Sequence, residues 1–211
     1  MVNYDRTEKF NTRKEILKTK NEKRKYPVST ANTHIKDKSI DYRAYLLLLK
    51  ISTFNVNESY RYITFDNYFY SKNNMPKILD LSYSNAYKIL NKVMMSDLVE
   101  LDTNDDNEIL IFKVLDKDFV TLNKTEINKL VSCKNNEIKT YLILKRILFN
   151  NSHRFVELSY IADCIGISKT NVTKTIKKYI EHLQDLGLIK FEYFYVLKDN
   201  IRVKRYKFSL K

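Results

Sequence analysis

The chain has 211 residues, 44% of them hydrophobic, and its 38 Lys/Arg against 25 Asp/Glu leave a formal net charge of +13. That is enough apolar material for one large core or two small ones, yet the longest apolar runs, such as Tyr45 to Leu49, are far too short to cross a bilayer. Two glycines cannot build a Gly-rich phosphate loop, which excludes Walker-type and dinucleotide-binding motifs.

Residues 1–38 carry 11 Lys/Arg against 5 Asp/Glu and lack sustained periodicity, so they read as a basic N-terminal arm. Thr12 to Lys25 could form a basic helix within it, and Pro27 stops any helix there. The first residues alternate polar and charged groups without the apolar stretch of a signal peptide, and two cysteines 31 positions apart suit a reducing interior. A cytoplasmic protein is expected, with no membrane partner.

Residues 39–118 carry 9 Lys/Arg against 12 Asp/Glu and form the first expected domain. Residues 119–211, with 18 against 8, form the second. Its opening, Phe119 to Leu122 and the amphipathic Lys124 to Val131, reads as a connector packed onto the second unit. Asn150 to Ser152 suggests a loop.

Further on, Ile161, Ala162 and Ile165 share one face of a short helix, Gly166 supplies a turn with φ > 0, and Ile167 tucks back into the core. Ser168 offers an N-cap for a second helix, on which Val172, Ile176, Ile180 and Leu183 recur at helical spacing. Gly187 ends that helix, and Leu188 to Phe191 leaves as a strand. This is the layout of a helix-turn-helix followed by a β-wing.

Four blocks of the second half echo the first in order. Arg43 to Ile51 resembles Lys139 to Ile147, and Arg61 to Phe65 resembles Arg154 to Leu158. Leu81 to Lys88 resembles Ile167 to Lys174, and Leu98 to Leu101 resembles Leu188 to Phe191. The offsets are 96, 93, 86 and 90 residues, so insertions are expected between elements, in loops. The last shift makes the second copy's recognition helix about one turn longer. The fold class expected is mainly α with small β-wings (α+β), as two tandem winged-helix domains. Where the second copy has Gly166 and Gly187, the first has Asp80 and Asp97, and aspartate tolerates left-handed geometry better than most residues.

The second helix shows Lys169, Thr170, Asn171, Thr173, Lys174, Lys177 and Lys178 between its apolar positions. Short hydrogen-bonding groups mixed with cations suit base edges read between two phosphate walls. The second wing adds Lys198, Arg202, Lys204 and Arg205, and Ser168 completes the candidate DNA-binding set. The plainer readings are a solvated helix face and a basic edge strand that discourages aggregation. The first wing holds Asp102, Asp105, Asp106 and Glu108, which a phosphate backbone would repel, so the first copy suits protein contacts instead. Tyr83, Asn85, Tyr87 and Lys88 suit packing or dimer contacts at least as well as base readout.

Nothing in the sequence indicates catalysis, a metal or a cofactor. His34, His153 and His182 form no H-x-H or H-E-x-x-H pattern, and with Cys133 and Cys164 they lack metal-ligand spacing. Cys164 reads as a small core residue, and most of the 16 tyrosines fall at core-like spacings.

The run F-V-T-L from Phe119, K-T-Y-L-I-L from Lys139, I-G-I-S-K-T-N-V from Ile165 and L-G-L-I from Leu186 resembles the DNA-binding half of winged-helix replication initiators of plasmids and phages from Gram-positive bacteria. The resemblance spans roughly Phe119 to Phe208. It implies base contacts by Lys169, Thr170, Asn171, Thr173 and Lys174, and backbone contacts by Lys177, Lys178 and the wing. It further implies a first domain that mediates dimerisation or recruits a replication protein. The expected function is sequence-specific binding of double-stranded DNA to start replication of a mobile element, near the nucleoid or plasmid. A winged-helix transcriptional regulator and a protein-interaction module of a mobile element are the alternatives.

Overall fold

In the computed structural model the described residues are 25–55, 60–104, 107–112, 118–167, 172–198 and 201–211. They form a mixed α+β fold, and no helix among them is long and apolar enough to cross a membrane. At its centre lie two helices, α2 (Tyr42–Ile51) and α6 (Asn135–Ile147). Residues 44–49 of α2 and 137–144 of α6 are buried without a break, so both helices are covered on every side. They pack on each other, and α2 also touches α5 (Lys124–Leu130).

Full burial leaves polar groups that must find partners. The Lys139 ammonium donates to the Asp37 carbonyl at 2.8 Å and lies 5.8 Å from the Tyr42 ring centre. Thr140 donates to the Asn136 carbonyl one turn back, at 2.8 Å. Asn135 bridges the halves: its side chain accepts from Tyr42 N–H and donates to the Ile40 carbonyl, each at 2.8 Å. Helix α5 opens with a capping box in which Asn123 and Glu126 exchange hydrogen bonds at 2.8 and 2.7 Å. Glu126 also accepts from Tyr141 and Lys145, which fixes α5 against α6.

The first half adds α3 (Phe65–Leu79), α4 (Tyr83–Met94) and a four-stranded antiparallel sheet ordered β2-β3-β5-β4. Its strands are β2 (Thr53–Asn55), β3 (Tyr60–Ile63), β4 (Val99–Asn104) and β5 (Asn107–Phe112). The second half adds α7 (Leu158–Ile165), α8 (Val172–Asp185) and a three-stranded sheet ordered β7-β9-β8. There β7 is Arg154–Phe155, β8 is Ile189–Lys198 and β9 is Ile201–Leu210.

Helix, strand, two helices and a hairpin follow one another in the second half, in the order the repeat predicts, and the first half has the same order with one extra strand, β2, before β3. The inserted residues, however, do not all lie in loops. Helix α3 has 15 residues and α7 has 8, although their starts and ends align. The drop in offset from 93 to 86 is therefore two extra turns inside α3. From the matched pair Ala86 and Val172, α4 runs to Met94 and α8 to Asp185, so α8 is the longer, as expected. Asp80 takes the left-handed conformation (φ 52°, ψ 53°) matching Gly166 (φ 72°, ψ 32°). Asp97 does not, because α4 ends in an ordinary right-handed turn at Met95, whereas Gly187 has φ 64°.

The boundary expected at residue 38 also needs correction. Tyr26–Ser29 forms β1, which pairs antiparallel with β6 (Phe119–Leu122) in the register Tyr26↔Leu122 to Ser29↔Phe119. Asn32–Lys36 forms a short helix, α1, that packs on α7. Tyr26, Val28 and Ile35 are buried, and alternation over so few residues was too brief to stand out from the basic surroundings. Arg146 donates to the Thr30 carbonyl at 2.7 Å, and Arg61 lies 4.4 Å from the Tyr26 ring centre while donating to the Lys25 carbonyl at 3.0 Å. Residues 25–36 therefore belong to the folded body, whereas the rest of the expected Thr12 to Lys25 helix lies outside the described residues. The connector role expected for residues 119–131 is likewise wider, since β6 and α5 join both halves.

Asn135→Ala strands a buried N–H and a buried carbonyl. We expect it to lower stability by about 2–6 kcal/mol in urea unfolding, because each of the two unsatisfied groups costs about 1–3 kcal/mol.

Candidate nucleic-acid interface

Helix α7 buries Leu158, Ile161, Ala162, Cys164 and Ile165, so Cys164 is the core residue expected. Gly166 closes it: its N–H donates to the Asp163 carbonyl at 3.4 Å, and Ile167 N–H reaches back to Ala162 at 3.0 Å. Those bonds need a left-handed residue at the turn. Ser168, Lys169, Thr170 and Asn171 lie outside the described residues. In the first half the corresponding Ser82 caps α4 by accepting from Asn85 N–H at 3.4 Å.

Helix α8 is strongly amphipathic. Ile176, Ile180 and Leu183 are buried, whereas Thr173, Lys174 and Lys178 are exposed. Lys177 stands at the flank, with its ammonium 3.4 Å from the Glu181 carboxylate. Lys174, Lys178, Glu181 and Asp185 follow each other along one exposed face. Their order opposes the helix dipole, since the cations lie toward its positive end and the acids toward its negative end. Local helix stability does not explain that order.

In the hairpin expected to form the second wing, β8 and β9 pair over ten positions, from Ile189↔Leu210 to Lys198↔Ile201, while β7 covers only Phe208 and Lys207. The outer hairpin therefore projects beyond the third strand. One face begins in the core with Phe208 and continues outward through Tyr206, Tyr193, Lys204, Tyr195 and Arg202. The Lys204 ammonium stands 3.8 Å from the Tyr193 ring centre and the Arg202 guanidinium 4.5 Å from that of Tyr195. Tyr193 and Tyr195 are 51% and 52% exposed, so these two tyrosines serve the surface.

The opposite face carries Arg205, which donates to Glu157 at 2.7 Å and so is already engaged. Nearer the base, the Lys190 ammonium beside Glu192 at 2.7 Å holds that carboxyl below its ordinary range. These two residues line an open polar cleft with Lys207, Ser152, His153 and Ser209. Lys198 ends β8, and its side chain is outside the described set.

Lys36 was missed by sequence reasoning. A methyl group on Gly166 would meet Lys36 Cγ at 3.7 Å, which puts an exposed lysine from α1 beside the turn before α8. The two residues are 130 positions apart, and only the docking of α1 on α7 joins them.

On the first half, Tyr83, Asn85, Tyr87 and Lys88 are all exposed on α4, so they take no part in the protein's own core. Lys72 stands 4.7 Å from the Tyr87 ring centre. The hairpin expected to form the first wing has six pairs, but the side chains of Asp102 and Glu108 lie outside the described ones, as do Asp105 and Asp106 altogether. No model of a known protein family matches the chain, and no curated protein matches it.

Gly166→Ala tests the turn. A Cβ there meets only ordinary contacts, so its cost comes from the backbone, and we expect a loss of about 1–2 kcal/mol in thermal unfolding.

Proposed function

We propose that each half is a winged helix, and that the second half is a non-enzymatic, sequence-specific reader of double-stranded DNA. The observation that carries this reading is the exposed face of α8, where Thr173, Lys174 and Lys178 gather with charges ordered against the helix dipole. An anionic partner over that end of the helix relieves the arrangement. Helix α8 enters a major groove, with its short polar groups and lysines reaching base edges. The aromatic and cationic face of the wing, with Arg202 and Lys204, lies along a flanking phosphate strand. Lys36 adds a phosphate contact beside the turn.

Within this reading the protein starts replication of a plasmid or phage. That role rests on the resemblance of Phe119 to Phe208 to winged-helix initiators. The first half, with its exposed Tyr83 and Tyr87, serves a second copy of the chain or a replication protein. Sequencing of genomic fragments captured by the protein tests the role, since an origin supports it and enrichment at promoters alone replaces it with transcriptional control.

Salt titration with a short duplex tests DNA binding itself. For roughly four phosphate contacts, affinity falls on the order of a hundredfold between about 50 and 200 mM salt. Lys174→Ala is expected to weaken the captured site by about 1–3 kcal/mol more than random DNA. Arg202→Ala and Lys36→Ala are expected to weaken both similarly and to lower the salt slope by about one each. Salt-independent or undetectable duplex binding rejects the proposal in favour of a protein-interaction module.

A further inference from the structure

The fold joins three side chains that the sequence keeps apart. Cys133 ends the turn after α5, Glu137 lies in the first turn of α6, and His182 lies in the last turn of α8. Their donor atoms all fall within 4.8 Å of one another. Cys133 and Glu137 are buried, whereas the His182 side chain is 42% exposed. We propose that this triad binds a zinc-class divalent cation, clamping the end of α8 to the α5–α6 junction.

The donor set suits such an ion. Thiolate, carboxylate and imidazole are the three common zinc donors, and three of them leave a fourth position for water on the exposed His182 side. One thiolate and one carboxylate cancel the charge of a divalent cation, so the buried site stays neutral overall. Tetrahedral zinc places its donors roughly 3.3–3.7 Å apart, so the widest pair must close by about 1 Å. His182 can supply that movement, as the half-exposed member on a separate helix.

His182 Nδ1 already stands 3.1 Å from Glu137 Oε2, so the imidazole and the carboxylate face one position that a cation can take. Glu137 also accepts from Lys134 N–H at 2.7 Å, which holds its carboxylate in place and leaves lone pairs for a metal. Without metal, burial and the neighbouring carboxylate of Glu137 push the Cys133 thiol up to about 12, and binding releases its proton to solvent.

The test uses the full chain, stripped of metal and titrated with Co²⁺, then with Zn²⁺ in competition. We expect one equivalent of Co²⁺ to give visible tetrahedral bands and a thiolate charge-transfer band, both removed by Zn²⁺. Thermal melts should shift upward with Zn²⁺. Cys133→Ser should abolish the charge-transfer band, and His182→Gln should weaken Co²⁺ binding at least about tenfold. Circular dichroism checks that both variants stay folded; the exposure of His182 makes its variant the safer of the two. Absence of a thiolate band in the folded protein overturns the proposal and leaves a histidine and a glutamate in proximity beside a core cysteine. Unchanged binding by folded His182→Gln overturns it equally.

Discussion

The contact between α2 and α6 is the constraint on which the rest of the molecule depends. Each helix is apolar around most of its circumference, so neither can face water on any side. Each half covers its own helix incompletely, and the other half supplies the missing cover. The polar groups caught in that contact are therefore spanning groups. Asn135 satisfies backbone on α2 and just before it, and Lys139 satisfies the Asp37 carbonyl. Burial opposes the charge on Lys139 and lowers its proton affinity, with Asp37 and Asp41 acting against that effect.

Around this shared centre the halves differ in the length of their elements and in one added strand, β2, more than in the order of elements. The two extra turns inside α3 and the further reach of α8 leave the order of the helices unchanged. The hairpins differ in the same way, with six paired positions in one and ten in the other. The longer hairpin carries cations and exposed tyrosines together. Aromatic rings give Lys204 and Arg202 a surface to lie along, which keeps their charge outward at little cost in freedom.

Much of this was legible in the sequence, for identifiable reasons. Gly166, Ile167 and the Ile176, Ile180, Leu183 series announced α7, the turn and α8 because each obeys a local rule of spacing or backbone freedom. Asp80 could be matched to Gly166 because the surrounding block repeats. Asp97 misled, since the same alignment does not guarantee the same turn once a helix ends elsewhere. What stayed hidden was nonlocal. The pairing of β1 with β6, the commitment of Arg205 to Glu157 and the approach of Lys36 to Gly166 join residues with no shared local pattern. The Cys133, Glu137 and His182 cluster is of that kind, with half its logic an i,i+4 step and the other half a helix crossing.

The pairing of β1 with β6 also sets an order of events during synthesis. Residues 26–29 leave the ribosome well before their strand partner, which lies beyond residue 118, and before the helix that α1 docks on, which begins at residue 158. Tyr26, Val28 and Ile35 therefore lack their cover until residues 119–122 and 158–165 have followed, so this part of the core closes through contacts of long sequence separation.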